Sequence, residues 1–104
     1  MVIVKDKFGF DIRIAPEYLD KINNKMPPLS KKTIEEVLLN PDCVRKSSSS
    51  ENCRCYYKKI ENIAKERWNK IVVKYVSNKN EHWIVTGHRT DGIKEIEVFY
   101  ENSL

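Results

Sequence analysis

Three features of the 104-residue sequence predict an α+β fold in which a short amino-terminal hairpin and two helices pack on a four- to five-stranded antiparallel sheet. Apolar residues recur at helical spacing between Ala15 and Leu38. From Cys43 onward the texture changes to runs rich in β-branched and aromatic residues. The links between those runs are short and polar, which implies antiparallel neighbours.

Val2 to Val4 and Phe10 to Ile14 are short apolar-rich runs separated by Asp6-Lys7-Phe8-Gly9, the composition of a turn in which Gly9 takes a positive φ. Pro16 suits the first position of a helix, where its missing N–H costs nothing. Ala15, Tyr18, Leu19, Ile22 and Met26 fall on one stripe, which predicts an amphipathic helix over about residues 16–25. Pro27-Pro28 forbids its continuation, and Ser30 is placed to cap a second helix with Ile34, Val37 and Leu38 on one face. Asn40-Pro41 stops that helix. The strand-like runs are Cys43 to Lys46, Cys53 to Ile60, Lys70 to Ser77, Glu81 to Arg89 and Ile93 to Tyr100. Ser47 to Asn52 reads as a hairpin tip, Asn78-Lys79-Asn80 as a tight loop, and Thr90-Asp91-Gly92 as another. Ile63 to Trp68 is either a helical turn or a loop holding Trp68 against the sheet.

The length suits one domain, residues 1–104. Apolar stretches such as Ile71-Val72-Val73 fall far short of the roughly 20 residues that cross a bilayer, so no membrane partner is expected. The opening MVIVKDKFGF lacks the apolar core of a secretory signal, and a cytoplasmic location is the expectation. Cys43, Cys53 and Cys55 form an odd set, better suited to reduced thiols than to an oxidised scaffold. A metal would need His82 or His88 as a further ligand, and Cys-x-Cys is not a common zinc spacing, so neither metal nor cofactor is expected. Charge is unevenly placed: from Arg54 to Thr90 nine basic residues face three acidic ones, while the last fourteen residues hold four acids and one lysine. The basic block is a candidate phosphate-binding surface, or simply solvated strand faces.

Alternation along Glu81 to Arg89 puts Trp83, Val85 and Gly87 on one face and His82, Ile84, Thr86 and His88 on the other. The more apolar pair, Trp83 and Val85, is expected in the core, which would leave His88 exposed. The run from Cys53 adds Arg54, Tyr56 and Lys58 on one face against Tyr57 and Lys59 on the other.

The succession "IEEVLLNPDCV", "CRCYYKKI", "WNKIVVKYV" and "HWIVTGHRT" resembles the barnase, EndoU, colicin and RelE-like superfamily of small metal-independent ribonucleases, over roughly residues 16–100. The resemblance implies an amino-terminal helical region before a four-stranded antiparallel sheet. It also implies a toxin or phage-type endoribonuclease that cleaves RNA by attack of the 2′-OH on the adjacent phosphorus, without a metal. That chemistry needs a base, an acid and donors to the phosphoryl oxygens. In this reading His88 is the acid or base, Arg89 or Arg54 binds phosphate bidentately, Lys58 adds charge and the Thr86 hydroxyl donates to a phosphoryl oxygen. Tyr56 or Tyr57 stacks on a base, Lys74 contributes to RNA binding, and Tyr100 stands where RelE-type members carry a working tyrosine. Many members carry a histidine in the helical region; residues 16–40 here have none, so Glu17, Tyr18 or Lys21 would have to substitute. The implied partners are RNA and an antitoxin or immunity protein that covers the cationic face with acidic residues. The alternative is a non-catalytic RNA- or protein-binding module on the same fold.

Overall fold

In the computed structural model of the chain, residues 2–24, 29–61 and 65–102 are described. Met26, Pro27-Pro28 and Ile63, on which parts of the helix and loop expectations rested, lie outside them. The elements run β1 (Val2–Lys5), β2 (Asp11–Ile14), α1 (Pro16–Asn23), α2 (Lys31–Leu39), β3 (Cys43–Lys46), β4 (Cys53–Lys59), β5 (Trp68–Val76), β6 (Glu81–Thr90) and β7 (Val98–Glu101).

Local chemistry sets most of the boundaries. Gly9 sits at φ 88° in the β1–β2 turn, a conformation that favours glycine. Pro16 opens α1, with Glu17 in its first turn and Lys21 in its last, both complementing the helix dipole. Ser30 caps α2 by accepting the Thr33 N–H at 3.2 Å. Ile34, Val37 and Leu38 are the buried face of α2, as their spacing requires.

The chain is α+β, but the sheet has seven strands and is mixed, in the order β1-β2-β6-β5-β4-β3-β7. The expected four- to five-stranded antiparallel sheet is too small, and its last strand is misplaced. The amino-terminal hairpin joins the sheet, because β2 pairs in parallel with β6 through Ile12↔His82 and Arg13↔Trp83. The acidic carboxyl-terminal segment also does not fold back beside β6. Only Val98–Glu101 is strand, and it pairs antiparallel with β3 at the opposite edge.

Crossing four inter-strand steps of about 4.8 Å takes roughly 19 Å, which the seven residues 91–97 span when extended. Side chains pin that crossing. Ile93 packs on the cluster of Cys43, Cys55 and Tyr57, and the Arg45 guanidinium donates to the carbonyls of Glu95 and Ile96 at 3.1 and 3.3 Å. Glu95 accepts from the Tyr57 hydroxyl at 2.5 Å and pairs with Lys70 at 3.0 Å.

The main core lies between the helices and one sheet face and gathers Val4, Ile12, Ile14, Ile22, Leu29, Ile34, Val37, Leu38, Val44, Tyr56, Ile71, Val73 and Ile84. Strict alternation fails in β6. Val72 pairs with Thr86 but Val73 pairs with Ile84, so Val85 is the extra residue of a β-bulge. Ile84 and Gly87, three apart, therefore both face the helices, and the expected core pair Trp83 and Val85 is displaced from that role. Gly87 is needed there: a Cβ would lie 2.7 Å from Ile71 Cδ1, with Ile22 Cδ1 and Leu29 Cδ1 at 3.5 and 3.6 Å behind it.

Candidate nucleic-acid interface

The residues expected to form one cluster are divided between two faces and two ends of the sheet. Thr86 and His88 stand opposite Val72 and Lys70 on the side away from the helices, both half-buried, together with exposed Lys74. Arg54, Lys58 and Arg89 are on the helix side, but Arg54 shares a row with Val73 and Ile84, whereas Lys58 and Arg89 flank Asn69. Four residues of β5 separate those rows, about 13 Å, with the helix-covered core between them. Lys58 donates its ammonium to the Asn40 carbonyl at 2.9 Å, at the carboxyl end of α2, where a cation complements the helix dipole. His88 and Arg89, adjacent in sequence, point to opposite sides of a strand.

Both tyrosines of β4 are fully buried, which removes them as stacking partners for a base. Tyr56 donates its hydroxyl to the Asp6 carboxylate at 2.5 Å, and burial together with that bond pushes its pKa well above 10. Tyr57 lies in the smaller cluster under residues 91–97, pushed up to about 12 first by burial and then by its bond to Glu95. Burial alone would lower the Lys70 pKa, but Glu95 and Tyr57 outweigh it and hold the ammonium charged. Burial also raises the thiols of Cys43 and Cys55, the latter to about 11, so both are poor nucleophiles. Tyr100 is half-buried against the main core, its ring near Phe8 and under the Lys7 ammonium.

Beyond the end of the helix layer, the helix side of the sheet opens into a cleft of about 430 Å³ lined by Phe10, Lys46, Glu51, Arg54, Tyr75, His82 and Phe99 among others. Arg54 forms its floor. Its guanidinium carbon is 5.3 Å from the Phe10 ring centre, 5.0 Å from Phe99 and 5.9 Å from Tyr56. Among the described residues no carboxylate forms an ion pair with it. Its polar partner is His82, with Nη2 3.3 Å from Nδ1. A guanidinium only donates, so Nδ1 is the acceptor and Nε2 carries the proton. Burial and then the adjacent Arg54 charge hold the His82 pKa below 6.5, so the imidazole is neutral at pH 7. Phe10 and Tyr75 pack on the ring from 4.5 and 5.0 Å.

Asp6 organises this end of the molecule. It is 2 % exposed and accepts the N–H groups of Phe8 and Phe10 at 3.0 and 2.8 Å, besides the Tyr56 hydroxyl. The β1–β2 turn is thereby fixed, and with it Phe10. The field of Asp6 also reaches His82, opposing the effect of Arg54.

Of the residues lining this cleft, the sequence singled out Arg54 but neither Phe10 nor Phe99, and it set His82 on the face away from the core. The pairing Tyr75↔His82 follows from a tight loop at residues 78–80 and would have placed His82 beside its neighbours on β5. Nothing in the sequence places β2 beside β6 or β7 beside β3, and those pairings bring the two phenylalanines to the cleft. The chain matches no protein-family model, no curated protein and no solved structure. Among the described residues no helix is long and apolar enough to cross a membrane.

Proposed function

We propose that the protein is a small RNA-directed domain of ribonuclease type whose working surface is the Arg54–His82 cleft. One observation carries this reading: a half-buried guanidinium, with no ion-paired carboxylate among the described residues, stands beside a neutral imidazole in an open cleft. A guanidinium in that setting fits a phosphate bidentately, and Lys46 at the rim adds a point charge. When a phosphate draws Arg54 away, the Nδ1 lone pair of His82 is released and suits removal of the proton from a 2′-OH. Attack of that oxygen forms the O2′–P bond and breaks P–O5′, the 5′-oxygen taking its proton from water in the cleft. The products would be a 2′,3′-cyclic phosphate and a 5′-hydroxyl. A toxin-type activity of this kind would call for an inhibitor that lays acidic groups over Arg54 and Lys46.

The same hydrogen bond favours a second reading. Nδ1 is already occupied by Arg54, which suits a module that binds RNA without cutting it. Incubation of the purified protein with mixed single-stranded RNA in EDTA, with the product ends identified, separates the two. Cleavage to cyclic phosphate that is lost in His82→Ala and Arg54→Ala supports the enzyme. Binding that falls steeply with salt, without cleavage, supports the module. Cleavage lost in His88→Ala but kept in His82→Ala would place the chemistry on the other sheet face and overturn the cleft as its site.

A further inference from the structure

All three phenylalanines of this chain, Phe8, Phe10 and Phe99, are 36–41 % exposed. Phenylalanine is among the residues most often buried, and three exposed ones together call for a reason. They are not scattered. Phe8 packs edge-on against Phe99 with ring centres 5.2 Å apart, and Phe10 and Phe99 stand about the Arg54 guanidinium at 5.3 and 5.0 Å. One cation thus meets two partly exposed rings that come from opposite edges of the sheet, Phe10 from the β1–β2 turn, where it also packs on His82 at 4.5 Å, and Phe99 from β7. The backbone holds both in place. Phe10 is tied to buried Asp6 through its N–H, and Phe99 belongs to the strand paired with β3.

We propose that Phe10 and Phe99 are stacking platforms for the two bases on either side of a phosphate held by Arg54, so that the cleft takes unpaired rather than duplex nucleic acid, with little base preference. This rests on the reading of the cleft as an RNA site. A duplex keeps its bases stacked inward and would set charged backbone against the phenyl rings. A single strand turns its bases outward and covers them. Every base offers a π-face, so stacking without hydrogen bonds to base edges selects for strandedness and not for sequence.

The test is fluorescence anisotropy with a short unstructured 2′-O-methyl RNA, which cannot be cleaved through its 2′-oxygen, beside the same strand in a duplex. Phe10→Leu and Phe99→Leu keep apolar bulk and remove the π-face; Phe10→Tyr and Phe99→Tyr restore it. Each leucine variant is expected to weaken single-strand binding about tenfold, with the salt slope unchanged because no charge is removed, and each tyrosine variant to bind like the parent. Arg54→Ala should weaken binding and reduce the salt slope by about one. Single-strand affinity unchanged in both leucine variants, or equal affinity for strand and duplex, overturns the platforms, and an Arg54→Ala loss alongside would show that the anion site stands without them. Unchanged binding in Arg54→Ala overturns the cleft reading itself.

Discussion

Replacing Asp6 by Ala tests how the amino-terminal turn is held against the sheet. The carboxylate accepts three hydrogen bonds, and their losses differ in cost. The Tyr56 hydroxyl belongs to a residue with no exposed surface, so no water reaches it and leaving it unpaired costs about 1–3 kcal/mol. The Phe8 and Phe10 N–H groups belong to residues 36 and 41 % exposed, where water can replace the carboxylate, at about 0.5–1.5 kcal/mol each. Because the three bonds share one acceptor, their losses should not add fully, and about 3 kcal/mol is expected. For a chain of this size that is a fall in Tm of about 12 °C. The assay is urea and thermal unfolding of Asp6→Ala, Tyr56→Phe and the double variant. Tyr56→Phe alone leaves Asp6 with two N–H donors and should cost about 1–2 kcal/mol, and the double variant should fall short of the sum by a similar amount. A fall in Tm under about 3 °C in Asp6→Ala, or a double-mutant cycle that closes to zero, would refute the argument.

Three further outcomes follow from the same physics. Opposing burial, the Tyr57 and Lys70 bonds hold the Glu95 carboxyl below its ordinary 4.5, so its contribution to stability is fully present above that pH and is lost as pH falls through the lower folded value. Glu95→Gln should cost about 2–4 kcal/mol at pH 7, since Lys70 and Glu95 are only 12 and 11 % exposed, and should flatten the acid limb of the stability curve; an unchanged limb counts against the pinned crossing. In native protein a thiol reagent should modify Cys53 rapidly, whereas Cys43 and Cys55, 3 and 2 % exposed, should react only on unfolding; three fast thiols would contradict the burial. By NMR the His82 imidazole should titrate below 6.5 and move upward in Arg54→Ala; because the folded value is depressed, its stability contribution is present above pH 6.5 and is lost as pH falls through the folded value.

The local signals were plain in the sequence because they act over a few residues. Gly9 at a positive φ, Pro16 at the start of α1, the Ser30 cap and the Ile34-Val37-Leu38 stripe each answer to the chain within one turn. Strand positions from Cys43 to Arg89 were legible for the same reason. The stretch from Ile93 to Tyr100 was not: its apolar content looks like a strand, yet Glu95 finds better partners in Lys70 and Tyr57 than in a ladder beside β6. The faces of β6 were misread only before Val85, because the bulge there breaks the alternation: Thr86, Gly87 and His88 lie on their expected sides, while His82 and Ile84 turn to the helix side and Trp83 away from it.

By itself the sequence determined an α+β fold, the start of α1 and both ends of α2, a basic middle and an acidic end. It also supplied Arg54 as a candidate for phosphate. Tertiary structure alone decided that Arg54 meets His82, Phe10 and Phe99, and that His88, Thr86, Lys58 and Arg89 do not join them. The physical reason is distance along the chain. Pairings between β2 and β6 and between β3 and β7 join segments tens of residues apart, and they are set by the summed burial of a core rather than by the propensity of any residue in it.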